Sequence, residues 1–541
     1  MDNEKTNIIS EEIKKIISHY GIEVVKDQNK FFGIISDTIV GDDNKTTRIM
    51  IKKGIFSGAY EKIICAKETE FDLEVNKAKQ TLITKELITE IYAVESLNYL
   101  LGALDKPTLD IYNRNDTNEN VSGEDIKQIA NIHTDEDMQF AEKSYQDGEK
   151  YFSSGEYDNA IKEYKRAFNL NHIEATYKIG FCYYYKKKDY TQAVHYYEIA
   201  ANRGHAGAQL ELGFCYDCGH GVKQNYAQAY DWYTKSANQG NKFAMYDLGL
   251  MFEYGKGVSK DYKKAADFYL RASNMGHSNA QNNLGVLYKY GNGVLQNYEK
   301  AAELFQKSAL QNNKYGQYNL GWCYANGKGL PKNLAKSIEY YQKSANQGHA
   351  KSQNALGGCY QKGQGVSTDY KKAYEWYLKA ANQGNSDAQD NLAYCYERGV
   401  GVIQSYNNAY IWAQKAAAQG NSNALCRLGA YCEKGYSTYQ NYYKAIEYYV
   451  KSAELGNSFA QHNLGHIYYY GRDGVPKDLS KAAYWYEKAA INGHAGAQCM
   501  IGLCYESGHG VAKSVTKAIE WYKRGAANGN VGAIQNLKRF Q

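Results

Sequence analysis

The stretch Ser352–Asp387, SQNALGGCYQKGQGVSTDYKKAYEWYLKAANQGNSD, decides the fold. Its first half carries Leu356, Gly357 and Tyr360, and a leucine and a tyrosine four apart share one face of a helix. Gly357 sits between them, and its missing Cβ lets a partner helix approach closely. Gly363-Gln364-Gly365-Val366 then breaks the helix, because glycine reaches positive φ cheaply. A second helix runs through Ala373, Trp376, Tyr377 and Ala381 to Gly384, alternating small alanines with large aromatics that can interlock with the first. The stretch is predicted to be an antiparallel helix pair.

The same pattern returns every 36 residues, with a small residue opening each unit at Ala208, Ala244, Ala280, Gly316, Ser352, Ala388, Ala424 and Ala460. One extra residue around Arg472–Asp473 moves the next start to Ala497, and a truncated unit opens at Ala533. A fixed period of this length predicts a solenoid, whose units bury their apolar faces only against their neighbours. The expected fold is therefore all-α, a right-handed α-solenoid of stacked antiparallel helix pairs.

These residues resemble the Sel-1-like repeat (SLR), a longer-looped relative of the tetratricopeptide repeat. The family pattern A-x3-L-G-x2-Y-x2-G-x-G-V, then K-A-x2-W-Y-x3-A-A-x2-G, is matched at Ala208, Ala244, Ala280, Gly316, Ser352 and Ala497. The resemblance covers about Ala175 to Gln541. Ala393 departs from it by replacing the helix glycine, Cys432 by replacing the tyrosine, and Gly435-Tyr436-Ser437 by losing the second loop glycine. The unit from Ala175 carries Lys186-Lys187-Lys188 where the loop glycines belong. Ala141–Asn171 resembles a tetratricopeptide-type unit that would cap the stack.

Three segments are expected: a small all-helical module over 1–104, a flexible polar linker over 105–138, and the repeat array over 139–541. In the first, Ile13, Ile16, Ile17 and Tyr20 form an amphipathic stripe behind the N-cap candidate Ser10. Its pieces HYGIEVVKDQNKFFGIISD and Ala93–Gly102 loosely resemble an N-terminal helical domain of bacterial multidomain proteins. NRNDTNENVSGED, inside the second segment, is polar and poor in apolar residues, as linkers are.

Composition narrows the function. Basic residues number 64 and acidic ones 58, a net +6 without the concentrated basic stripe that nucleic acid requires. No apolar run approaches the ~20 residues needed to span a bilayer, and Met1–Glu12 is polar rather than signal-like. A cytoplasmic, bacterial setting is expected. Of the 11 cysteines, Cys182, Cys215, Cys323, Cys359, Cys395 and Cys504 share position 8 of their units, a slot filled elsewhere by Met251, Leu287 and Ile467. That exchange is expected of core packing rather than of disulfides or metal ligands.

Three further motifs carry possible chemistry. Cys215-Tyr216-Asp217-Cys218 is a CxxC with no second copy, and His462 and His466 share a helix face with no third ligand evident. Ser514-Val515-Thr516-Lys517 fits S-x-x-K, and secreted cysteine-rich relatives have been described as penicillin-binding or β-lactamase-like, but no S-D-N or K-T-G accompanies it here. No enzyme, cofactor or metal is expected.

A partner would sit on the face lined by first helices, where positions 3, 7, 10 and 11 point by analogy with the tetratricopeptide repeat. The candidate residues are Tyr246, Tyr254, Asn282, Tyr290, Tyr318, Trp322, Asn354 and Tyr394. Asparagine can bond an extended backbone through both donor and acceptor, and aromatic rings give contact area at low entropic cost. The expected function is a scaffold or adaptor that binds a protein or peptide, with neither nucleic acid nor membrane as partner. A β-lactamase-like enzyme and a nucleic-acid-binding regulator are the alternatives.

Overall fold

The computed structural model describes residues 135–540. The expected helical module over 1–104, and the linker up to residue 134, lie outside the described residues. The chain divides into two bodies at Cys182/Tyr183. The described part of the first holds α1 (Asp135–Ser153), α2 (Tyr157–Phe168) and α3 (Ile173–Phe181). Helix α1 begins before residue 139, where the repeat array was expected to start. Asp135, Glu136 and Asp137 fill its first turn, where carboxylates favour the positive end of the helix dipole. A π-helical turn, Cys182–Lys187, occupies the unit whose loop lacks glycines.

In the second body, α4 (Tyr190–Asn202) is followed by nine pairs of 13-residue helices, from α5 (Ala206–Cys218) and α6 (Tyr226–Asn238) to α21 (Ala495–Ser507) and α22 (Val515–Ala527), with α23 (Val531–Lys538) last. From α4 to α23, each helix packs on the next. The architecture is an α-solenoid, and the only pairing of strand type among the described residues is a single bridge between Arg472 and Val475, where the extra residue enters.

One contact recurs inside eight of the nine pairs. A Cβ built on Gly357 would stand 2.5 Å from the Tyr377 ring, and the equivalent distances are 2.7 Å for Gly213 on Tyr233 and 2.4 Å for Gly249 on Tyr269. Tyr377 is 2% exposed, so the ring lies pressed flat in the notch that glycine leaves. In four pairs the hydroxyl at the far end bonds position 10 of the first helix, as with Tyr269 to Glu253 at 2.5 Å, Tyr377 to Gln361 at 2.8 Å and Tyr449 to Glu433 at 2.8 Å.

The Ala388 unit departs from this rule twice and compensates. Ala393 replaces the glycine, Ala413 replaces the tyrosine, and both are fully buried. The missing ring comes from the next unit, where Tyr431 fills position 8 in place of the usual cysteine. Its hydroxyl donates to Glu397 at 2.9 Å, the same position-10 carboxylate that a tyrosine at 413 would reach. Volume and hydrogen bond are both conserved while the ring changes helix.

Units are joined by polar ladders. Buried Gln353 donates to the Ala345 carbonyl at 3.2 Å and accepts from Gln383 at 2.7 Å. Gln281, Gln317 and Gln389 accept likewise from Gln311, Gln347 and Gln419. Where Met245 and Leu425 replace this glutamine, the partner positions hold Met275 and Leu455. The first-helix N-caps follow a similar rule. His277, His349 and His494 stand edge-on to Phe243, Tyr315 and Phe459 at 5.0, 5.2 and 4.9 Å. Asn313, Asn421 and Asn457 instead bond Asn279, Asp387 and Asn423.

The second loop glycine has its own constraint. Gly365 has φ 78°, and a Cβ there would lie 2.7 Å from the Leu334 carbonyl oxygen, at the start of the preceding second helix.

Gly357→Val should destabilise the Ser352 unit by about 1–3 kcal/mol through overpacking. Adding Tyr377→Ala should cost less than the two single effects summed, because the clash goes with the ring. Hydrogen exchange across 350–385 checks this, and an unchanged pattern in Gly357→Val would refute the packed notch.

Candidate binding surface on the first helices

First helices of adjacent units touch directly at several joints, as between Ser278–Tyr290 and Lys314–Asn326, and among the described residues no pair of successive second helices makes as extensive a contact. The stack is therefore tighter along its first-helix side. Side chains at position 3 of one unit meet position 4 of the next. Asn319 donates to Asn282 at 2.8 Å, Asn391 to Asn354 at 2.9 Å, and Arg427 Nε to Asp390 at 3.0 Å.

This ladder sorts the eight candidate residues. Asn282 is buried, donating to Asn283 while it accepts from Asn319, and Asn354 accepts from Asn391. Both amides serve the joint between units. Tyr246 is half-buried and stacks on the His277 cap at 4.7 Å, and Tyr318 meets His349 at 5.1 Å. Trp322 lies under the Lys289 ammonium, 3.4 Å from its ring centroid. That ammonium is itself buried, which lowers its pKa. Arg427 lies over Tyr394 at 5.7 Å. Tyr254 and Tyr290, the last residues of their helices, are 63% and 61% exposed.

Position 4 was not among the positions read from the sequence, and it carries the strongest electrostatics. Arg427 reaches Asp390 through two nitrogens and also bonds Glu397. Burial opposes its charge, but these carboxylates outweigh burial and raise the guanidinium pKa further. Beside this network lies a cavity of about 660 Å³ lined by Tyr394, Arg398, Cys426, Lys434, Tyr436 and Phe459 among others.

At the other end, position 4 holds Glu211 and Asp247. Leu210, which occupies position 3 opposite Asp247, has nothing to donate. Burial first, then the neighbouring carboxylates of Asp217 and Glu211, push the Asp247 carboxyl up to about 7. Burial also raises Glu211, although Tyr185 donates to it at 2.9 Å. Repeat alignment alone carries the signal that could have found these residues, since the pairing spans 37 residues and no local motif marks it.

The remaining motifs have structural surroundings. Cys215, Cys323, Cys395 and Cys504 are buried free thiols, and burial raises Cys215 to about 12. Cys218, the second cysteine of the CxxC, is exposed. His462 stacks on His494 at 4.4 Å, and burial chiefly lowers it to about 4. Among the described residues, no three His, Cys, Asp or Glu side chains are grouped to hold a metal. Ser514 is the N-cap of Val515–Ala527, accepting the Lys517 backbone N–H. No helix among the described residues is long and apolar enough to cross a membrane.

Glycine-notched helix pairs joined by two-glycine loops and stacked through polar ladders define a helical-repeat solenoid. Sel1 repeats match at 173–205, 206–241, 242–277, 278–313, 314–349, 350–385, 386–421, 422–457, 458–494 and 495–530, so the chain belongs to the Sel1 repeat family. It is similar to a solved protective antigen present in uropathogenic Escherichia coli strains, which displays an SLR fold. The two are 33% identical with a TM-score of 0.61, over 77% of this chain and 90% of that one. A Sel1 repeat protein from Oxalobacter formigenes is 32% identical with a TM-score of 0.43, over 57% of this chain and 90% of that one. No curated protein matches the chain.

The raised carboxyl predicts a pH-dependent stability. An unfolded aspartate titrates near ~3.9, so the folded chain keeps the Asp247 proton through the interval up to about 7. The stability this group contributes is complete below that interval and is lost as pH rises through it. Asp247→Asn should therefore stabilise by about 1–2 kcal/mol at about pH 8 and change little near about pH 4. Denaturant titrations at the two pH values test this, and an equal effect at both would contradict it.

Proposed function

We propose that the chain is a non-enzymatic scaffold or adaptor that holds an extended segment of a partner protein along its first-helix face. The observation that carries this reading is the pair of exposed tyrosines, Tyr254 and Tyr290, at the same position of adjacent units. Neither is buried in the core, unlike the tyrosines that close the helix pairs. Tyr246, Tyr318, Trp322 and Tyr394 continue the aromatic surface as half-buried walls, and Asn282 and Asn354 belong to its floor. Contacts between adjacent first helices hold these rings at fixed spacing, so little ordering entropy is lost on binding.

The module expected over 1–104, with its linker over 105–138, would recruit a second component, and two linked sites raise effective concentration without new contacts. A bacterial cytoplasm suits the buried thiols of the core. The enzyme reading has less support, because Ser514 serves as a helix cap. Nucleic acid is disfavoured by the carboxylates at Glu211, Asp217 and Asp247, which would repel phosphate.

The test is affinity capture from host lysate with the full chain and with Tyr254→Ala/Tyr290→Ala. Both substitutions fall on exposed side chains, so folding should be unchanged by circular dichroism. A protein retained by the first and lost by the second supports the reading. Equal capture by both moves the function away from this face.

A further inference from the structure

We propose that the first-helix face across the Ala208 and Ala244 units is a subsite for a cationic side chain, lysine or arginine, of the bound partner segment. This deepens the scaffold reading and rests on it.

Three carboxylates meet here from two adjacent helices: Glu211 and Asp217 from α5, and Asp247 from the first helix of the next unit (Lys242–Tyr254). Lys256, 3.4 Å from Asp217, forms the one ion pair that any of them makes among the described residues. Asp247 faces Leu210 in the ladder, whereas Asn282, Asn354 and Asp390 each face a donor. Among the described residues, no side chain donates a hydrogen bond to it.

The second observation is independent of these charges. Tyr233 is 1% exposed, and its buried hydroxyl has no hydrogen-bond partner. Its counterparts Tyr269, Tyr449 and Tyr522 donate to a glutamate at position 10, whereas Tyr486, which has no carboxylate at that position, is unpartnered like Tyr233. In this unit position 10 is Asp217, one methylene shorter and paired with Lys256. Asp247 and Asp217 are the two charges that bear most strongly on the Tyr233 phenol. An orphan hydroxyl and an orphan carboxylate thus share one end of the face without bonding each other.

An ammonium or guanidinium group answers both. Its N–H groups can donate to Asp247, to a neighbouring carboxylate and to the Tyr233 oxygen together, as charge-assisted bonds. An acidic segment would instead meet like charge from both helices.

The probes are fluorescein-labelled octalysine, octaglutamate and a neutral Gly-Ser octapeptide, titrated against the full chain. Octalysine should bind best and weaken about tenfold or more in Asp247→Asn, the size expected for a lost charge-assisted pair. Asp267→Asn, an exposed second-helix control, should leave binding unchanged. Binding should tighten from about pH 6 to about pH 8 as Asp247 ionises. The groups facing that carboxylate are Glu211, Asp217 and Cys218 on α5, Tyr233 on α6, Lys256 in the loop that follows its own helix, and Tyr246 beside it.

Because Asp247→Asn removes a buried charge, weaker binding by this variant is not a symptom of unfolding. Wild-type affinity in Asp247→Asn overturns the subsite. If Tyr254→Ala/Tyr290→Ala still weakens binding in that case, the groove stands without it. Stoichiometric binding of calcium chloride alone, lost in Asp247→Asn, would overturn the proposal in favour of a metal site.

Discussion

The whole array depends on a ring lying in a notch. In eight of the nine pairs the second helix presents an aromatic side chain to a first-helix position that tolerates no Cβ, and the close approach sets the distance and angle between the two helices. Burying a tyrosine this way yields a large apolar contact, but it leaves a hydroxyl that needs a partner. A residue at position 10 supplies one in four of the nine pairs, and there a single side chain fixes the pair at two points. The Ala388 unit shows that the constraint falls on volume and hydrogen bonding rather than on a particular residue. With glycine and tyrosine both replaced by alanine, Tyr431 arrives from the neighbouring helix and bonds the same Glu397.

Between units the binding is polar and repetitive. Glutamine ladders, histidine caps against aromatic rings and asparagine caps against asparagine or aspartate each exist in matched versions, and the partners change together along the chain. Such pairing matters in a solenoid because every unit has only two neighbours, and stability is a sum of local terms and interfaces. An unmatched interface would open locally without support from a distant core. The buried Arg427–Asp390–Glu397 network fits the same pattern. Its charges are mutually satisfied, so it fixes the register between two units while adding modestly to their stability.

The period, the helix pairs, the glycine notch and the cysteine column were legible in the sequence because each repeats at constant spacing. Gly357 and Tyr377 could be placed in one seam from their pattern alone. The first-helix face was legible only in outline. Asn282 and Asn354 stood out as ligand-facing amides, yet both close joints between units, because position 3 of one unit meets position 4 of the next. That register depends on how the helices are stacked and has no local signature. The relocation of the tyrosine from 413 to 431 was hidden for the same reason: Ala393 and Ala413 lie one unit away from Tyr431, and only the packed core relates them.

This division of labour leaves the first-helix face able to vary. Positions 1, 5 and 6, with the ring of the second helix, fix the scaffold, while positions 3, 4, 7, 10 and 11 need only satisfy their neighbours. Along the array the face runs from the carboxylates of Glu211 and Asp247, through the aromatic stretch of Tyr254, Tyr290, Tyr318 and Trp322, to the ion-paired floor at Arg427. A segment lying along it would meet one chemistry after another at intervals set by the repeat. Specificity would then arise from the order of these stretches, with a negative end that would reject acidic partners. A rigid spacing also makes a one-unit slip costly, since every side chain of the ligand would meet the wrong neighbour.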